Sequence, residues 1–225
     1  FVTGAGRGLG RGFVEYLLDL DVLVFAGVRD SLKEDFKKHD NLRIVPLDVS
    51  SNQSIAEAVE TIAGEVDHLT YLVNNAGLNK DTATNGHKEI VCDLAKLDRD
   101  TLLKMFDVNA ISPMIVLSEC LPLLKGKESF VINISSNRAF FRDQNDNGNY
   151  GYRASKAALN MMTLCSLFDL PKNVKTFAVH PGSVKTDMNP DGDTLPYEQA
   201  DKIMAIVRNW KDEYNGKFLR ENGTL

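Results

Sequence analysis

Phe1-Val-Thr-Gly-Ala-Gly-Arg-Gly-Leu-Gly10 is the stretch on which the reading of this chain turns. Phe1-Val-Thr-Gly reads as the end of a buried strand whose beginning is expected to lie ahead of Phe1. Beyond it Val14, Leu17 and Leu18 mark the apolar face of a helix. Thr3 to Gly10 is therefore a glycine-rich loop at a helix N-terminus. Exposed N–H groups and the helix dipole favour a pyrophosphate there, and residues without Cβ let the backbone approach it. The loop fits G-x-G-x-x-G in no frame but satisfies T-G-x-x-x-G-x-G with Gly4, Gly8 and Gly10. Tight strand–helix packing is the competing explanation for such glycines.

Outward from this loop the chain alternates. Apolar, β-rich runs at Val22 to Val28, Leu42 to Leu47, Leu69 to Val73, Phe130 to Ser135 and Val174 to His180 are separated by stretches long enough for a helix. Ala154, Ala158, Met161, Cys165 and Phe168 mark a second apolar helical face. The Asn215-Gly216 turn announces a last strand at Lys217 to Leu219. Strands buried on both sides and joined by helical crossovers predict an α/β fold, a doubly wound parallel Rossmann-type sheet of about seven strands with helices on both faces. With no linker or repeat, 1–225 is expected to be a single domain, with both ends of the native chain clipped. Asn79 to Asp98 reads as a long excursion after the fourth strand, and Asn145 to Asn149 as a surface loop.

Composition removes several function classes. The 225 residues, 43% hydrophobic and 25% charged, suit a domain with a full core, and 26 basic against 31 acidic residues give a net charge of −5. No basic run or basic–aromatic stripe favours nucleic acid. Cys92, Cys120 and Cys165 are an odd number without C-x-x-C spacing, read as free thiols in a reducing compartment, and no metal site is expected. No histidine, among His39, His68, His87 and His180, carries the pattern of a partner to a catalytic cysteine. No signal peptide or apolar run of about 18 residues is read, so a cytoplasmic protein without membrane attachment is expected.

The candidate chemistry lies in Tyr150-Gly-Tyr-Arg-Ala-Ser-Lys-Ala-Ala-Leu-Asn160. Tyr152 and Lys156, at i and i+4, share a helical face, whereas four residues beyond Tyr150 stands Ala154. A phenol titrates near ~10, so it works as an acid–base catalyst at neutral pH only if a cation stabilises its phenolate. Lys156 is placed to be that cation. Ser135 and Ser136 end the fifth strand, where neighbours point to opposite faces, so one of the two faces the site.

In order and spacing these stretches resemble the short-chain dehydrogenase/reductase family along the whole chain. Thr3 to Gly10 is similar to its cofactor loop, Leu47-Asp-Val49 to its adenine-contacting turn, and Asn74-Asn-Ala-Gly77 to the sequence after its fourth strand. Asn109, Ser136, Tyr152, Lys156 and the Pro181-Gly182 segment with Thr186 follow in register. The Tyr152 stretch and His180-Pro-Gly-Ser-Val-Lys-Thr-Asp-Met188 are most similar to the C-factor-like branch, which includes small carbonyl reductases. The resemblance implies a catalytic set of Asn109, Ser136, Tyr152 and Lys156. Asn109 would anchor a water, Ser136 bind the substrate oxygen, Tyr152 pass the proton, and Lys156 hold the ribose. It implies cofactor contacts from Thr3, Gly4, Arg7, Gly8, Leu9, Gly10, Asp48, Val49, Asn75, Ala76, Gly77, Pro181, Gly182, Val184 and Thr186. The separation of Ser136 from Tyr152, 152 − 136 = 16, exceeds the usual family spacing by about three residues, with the extra length in Asp143 to Asn149.

Cofactor preference rests on Ala26-Gly-Val-Arg-Asp30. An NAD enzyme of the family would place an acid where Val28 stands, to accept hydrogen bonds from the ribose, whereas a 2′-phosphate needs cations. Arg29 and Arg7 supply them, so NADP(H) is expected over NAD(H), with Arg29 pairing only Asp30 or solvent as the alternative. The expected function is NADPH-dependent reduction of a ketone, aldehyde or quinone. The alternative is an NADP-binding regulatory or scaffold protein of the same fold. Substrate would be lined by Arg138 to Asn149 and Met188 to Tyr197. A homodimer or homotetramer is expected through the Asn109 to Leu124 and Ala154 to Phe168 helices, unless both face only their own core.

Overall fold

The computed structural model describes residues 1–30, 35–79, 94–140 and 148–224. Its strands are β1 (Val2–Thr3), β2 (Val24–Val28), β3 (Leu42–Pro46), β4 (Tyr71–Asn74), β5 (Ser129–Ile134), β6 (Val174–His180) and β7 (Phe218–Arg220). They form one sheet in the order β3-β2-β1-β4-β5-β6-β7. Every adjacent pair is parallel. Connections between parallel strands must cross over the sheet. Those crossovers carry α1 (Gly8–Asp19), α2 (Asn52–Ala63), α3 (Arg99–Phe106), α4 (Ser112–Leu124), α5 (Tyr150–Ser166) and α6 (Pro196–Arg208).

Each central strand serves two cores, which is why it reads as a nearly unbroken apolar run. Val24, Ala26 and Val28 pack with Phe13 and Leu17 of α1 and Ile203 of α6. Phe25, between them, packs on the other face with Ile55 and Ile62 of α2 and Leu117 and Leu124 of α4. Burying one such side chain is worth about 1.5–3 kcal/mol. Helix α1 lies close against α6 because Gly12 has no side chain. A Cβ there would stand 2.3 Å from the Pro196 carbonyl carbon. The strand order reverses at β1, flanked by β2 and β4, so a crevice opens at their carboxyl ends.

Three expectations are corrected. The β2–β3 connection has no helix over its described residues 35–41. The Asn41 amide donates to the Asp21 carboxylate at 2.6 Å, which holds the entry to β3 in a turn. The apolar stripe of α5 is not a core face. Met161 is 60% and Phe168 82% exposed, Ala154 and Cys165 are exposed as well, and Ala158 is half-buried. The buried side of α5 is Gly151, Ser155, Lys156, Leu159 and Thr163. It is small and polar because Gly151 takes Met105 and Leu102 of α3 against its backbone, and Thr163 receives the Asn133 amide at 3.0 Å. Finally, α3 runs through a π-helical turn, Asp107–Ile111, into α4. This Arg99–Leu124 rod is long and apolar enough to cross a membrane, with mean hydropathy 1.3 over its best window, of which 56% is buried in the protein. Of the long excursion after β4, residues 80–93 lie outside the described residues, as do residues 145–147 of the expected surface loop.

Candidate active site

The glycine loop is a cradle that side chains would fill. Gly4 and Gly8 hold left-handed φ values of +62° and +55°, which a Cβ disfavours. A Cβ on Gly4 would lie 2.8 Å from Ala76 Cα, and one on Gly8 3.2 Å from the Thr186 methyl. Helix α1 starts at Gly8 without a side-chain cap and without an acid in its first turn. Its leading N–H groups and dipole thus face the crevice unopposed, an arrangement that fits the pyrophosphate of a dinucleotide. Leu9 points the other way, into the core with α1.

Thr3 and Asn75 brace this cradle. The Thr3 hydroxyl accepts from the Asn75 and Ala76 N–H groups, both at 3.1 Å. The Asn75 amide donates to the carbonyls of Thr3 and Gly4 at 3.0 and 3.1 Å. Asp48, after β3, accepts from the hydroxyl and N–H of Ser50 at 2.7 and 3.0 Å. Those bonds, with burial opposing and Arg29 adding a smaller pull, hold its carboxyl below the usual range. Val49 is packed against the α2–α4 core.

Ser136, Tyr152 and Lys156 are brought together beyond β5. The Ser136 hydroxyl accepts from the Arg138 N–H at 3.2 Å and lies near enough to the Tyr152 phenol to pull its pKa down. Ser135, pointing to the opposite side, gives its proton to Asn160 at 2.6 Å. Strand alternation thus puts Ser136 beside the phenol and commits Ser135 to α5. Lys156, 4% exposed, donates to the Ile134 carbonyl at 2.7 Å, and burial brings its ammonium down to about 8. The lowered phenol expected of the i, i+4 pairing is not what the structure holds. Burial raises Tyr152 above its ordinary value, against lowering by the Ser136 hydroxyl and the Arg138 guanidinium. The Lys156 ammonium lies 5.9 Å from the ring centroid and is directed at backbone.

Asn109 lies in the π-helical turn, and its side chain is fully engaged. Its oxygen accepts from Leu78 N–H at 2.7 Å, and its amide donates to the Leu78 carbonyl at 2.8 Å and the Ser155 hydroxyl at 3.0 Å. A widened turn in a helix is a frequent mark of a functional position. Here it sets Asn109 against Gly77, where a Cβ would come 3.2 Å from the Asn109 oxygen and 3.6 Å from the Lys156 ammonium.

The Pro181–Thr186 segment closes the arrangement from the β6 side. Gly182 has φ +73°, Val184 bridges Thr194, and Thr186 bridges Asn189. Arg29 is exposed and adds to the lowering of the Asp48 carboxyl. Arg7 is engaged: its guanidinium meets Asp187 at 2.8 Å. Asp187 was not picked out as a site residue from the sequence, and no local spacing signals it; Arg138 was expected only as one of the residues lining the substrate. Of the expected substrate-lining residues, 141–147 lie outside the described residues. So does Cys92, and Cys120 is buried with its thiol pushed up to about 12.

With this geometry in place, comparison with known proteins is direct. The family model for short chain dehydrogenases matches residues 1–194. An uncharacterized oxidoreductase of Schizosaccharomyces pombe is 31% identical, over 100% of this chain and 96% of that protein. The C-signal protein of Myxococcus xanthus is 33% identical over 75% of this chain and 96% of its own length. The crystal structure of NADPH-bound carbonyl reductase from chicken fatty liver superposes with a TM-score of 0.87, at 30% identity over 100% of this chain and 96% of that one. The chain belongs to the short-chain dehydrogenase family. It is an oxidoreductase fold with carbonyl reductases among its structural neighbours.

Proposed function

We propose that this protein is an NADPH-dependent reductase that converts a ketone, aldehyde or quinone carbonyl to an alcohol. The observation that carries this reading is the convergence of the buried Ser136 on the Tyr152 phenol, whose pKa it pulls down, with the buried Lys156 one helical turn beyond. Thr3, Gly4, Arg7, Gly8, Leu9 and Gly10 at the loop, Asp48 and Val49, Asn75 to Gly77, and Pro181, Gly182, Val184 and Thr186 would hold the cofactor. When bound, its reduced nicotinamide supplies hydride. The Ser136 hydroxyl would donate to the substrate oxygen, and Tyr152, kept protonated at neutral pH by burial, would pass that oxygen its proton. Lys156 would hold the ribose with the N–H groups not given to Ile134 and supply positive charge as the phenol loses its proton. Asn109 would fix the Leu78 backbone beside that proton path.

NADPH is favoured over NADH because Val28 occupies the place of a ribose-binding acid while Arg29 and Arg7 stand nearby. The chicken carbonyl reductase has NADPH bound. The exposed apolar side chains Leu103 and Ile111 on the Arg99–Leu124 rod, and Met161, Leu164 and Phe168 at its neighbour α5, support a homodimer or homotetramer. Their exposure favours this reading over one in which both helices face only their own core. Free Cys120 and Cys165 suit a reducing cytosol.

NADPH consumption across a panel of ketones, aldehydes and quinones tests the activity. Turnover with a member of the panel is expected. Tight NADPH binding without any turnover would instead favour a regulatory or scaffold protein.

A further inference from the structure

The Arg7 guanidinium is held by a carboxylate 180 residues away, Asp187, at 2.8 Å. The pair bridges the glycine loop and the segment after β6, and it is reinforced one residue along, where Gly8 faces the Thr186 methyl. Asp187 does not reach this position by chance of a loose loop. Its segment is shaped by its own bonds, Lys185 N–H to the Thr194 carbonyl at 2.9 Å and Thr186 and Asn189 bonding each other's backbone at 3.0 Å. Gly192 packs so closely that a Cβ would lie 2.3 Å from the Val184 carbonyl carbon. The carboxylate is therefore presented beside a helix N-terminus whose own first turn contains no acid. About three quarters of each charged side chain is exposed, so a soluble anion reaches the guanidinium readily.

We infer that Asp187 is a built-in competitor for the anion that Arg7 receives, and that it sets how strongly the protein distinguishes NADPH from NADH. This rests on the reading that Arg7 receives the 2′-phosphate. Two anions converging on one guanidinium repel each other, so the phosphate gains Arg7 only by displacing the Asp187 carboxylate. NADH, having no phosphate at that position, leaves the Arg7–Asp187 strap closed. The carboxylate thus weakens NADPH selectively and ties release of the β6 segment from the glycine loop to the arrival of the phosphate. Because the pair is exposed, the effect is modest and salt-sensitive.

The test is fluorescence titration of the full chain with NADPH and NADH, for wild type, Asp187→Asn, Arg7→Gln and the double variant. Asp187→Asn is expected to tighten NADPH about two- to fivefold and leave NADH unchanged. The gain should vanish in the Arg7→Gln background and shrink in about 0.5 M salt. If wild type prefers NADPH and Arg7→Gln weakens it, but Asp187→Asn has no effect, the competition is overturned and the cofactor reading stands. Weakening of both coenzymes by Asp187→Asn would make the residue a strut and overturn it equally. If wild type does not prefer NADPH, or Arg7→Gln leaves NADPH unchanged, the cofactor reading fails and takes this inference with it.

Discussion

The Lys156 ammonium donates a 2.7 Å hydrogen bond to the carbonyl of Ile134, the last residue of β5. One carbonyl does not replace the water that burial removes, so its pKa falls from 10.5 to about 8. The unfolded chain therefore binds more protons than the folded one between about pH 8 and 10.5. Stability rises with pH across that window and is unaffected by this group below it. Relative to Lys156→Met, wild type should gain on the order of 2–3 kcal/mol between pH 8 and 10 in urea unfolding. Tyr152, raised above 10, works in the opposite direction only at higher pH. Parallel stability curves for the two proteins would contradict the assignment.

Tyr152→Phe keeps the ring and removes the proton. Turnover should fall by at least the ~10² typical of a lost general acid, with NADPH affinity little changed. Tyr150, 40% exposed and without a lysine at i+4, is the control, and Tyr150→Phe should stay active. Lys156→Ala should weaken cofactor binding as well as turnover. Near-normal rates in Tyr152→Phe with loss in Tyr150→Phe would reverse the assignment.

Arg29 follows Val28 at the end of β2, where no carboxylate competes for a ribose. Arg29→Ala should weaken NADPH far more than NADH in coenzyme titrations. Equal or tighter binding of NADH by wild type would sink the cofactor preference.

The exposed stripe of α5 predicts assembly. Wild type should run as a dimer or tetramer by light scattering at micromolar concentration. Met161→Glu together with Phe168→Glu should shift it toward the monomer by placing charge in the buried contact. A monomeric wild type would rule the interface out.

Gly12→Ala drives a methyl into the Pro196 backbone, 2.3 Å from its carbonyl carbon. The better helix propensity of alanine does not offset that overlap. A net loss of about 1–3 kcal/mol is expected in denaturant unfolding, and an unchanged midpoint would mean that α1 and α6 separate freely.

The central strands were legible because they feed two cores and so carry a nearly unbroken apolar character, as Val24 to Val28 does. Alternation narrowed the serine to Ser135 or Ser136, the family resemblance chose Ser136, and Tyr152 followed from helical spacing. The apolar residues of α5 face outward, and what the sequence did not reveal is that the core receives Gly151, Ser155 and Thr163. Those positions have partners, Met105, Asn109 and Asn133, supplied by distant segments that no local period reveals. The Arg7–Asp187 pair was hidden for the same reason. The π-helical turn at Asn109 was hidden because one rod with a continuous apolar pattern conceals a change of helical pitch.

The strand order also gives the sheet a seam. Beyond β4 each strand docks on its immediate predecessor, as do β2 and β3, so within the sheet the two halves pair where β1 meets β4. That joint pairs Val2 with Val73, adds the Val73 N–H to Phe1 carbonyl bond at 2.8 Å and the Phe1 nitrogen to Tyr71 carbonyl bond at 2.7 Å, and is further stitched by Thr3 and Asn75. The hydroxyl of Thr3 is thus a rivet between two half-sheets as well as part of the crevice. In Thr3→Val, amide hydrogen exchange should quicken first at Val73, Asn75 and Ala76, while the β5–β6 ladder stays protected.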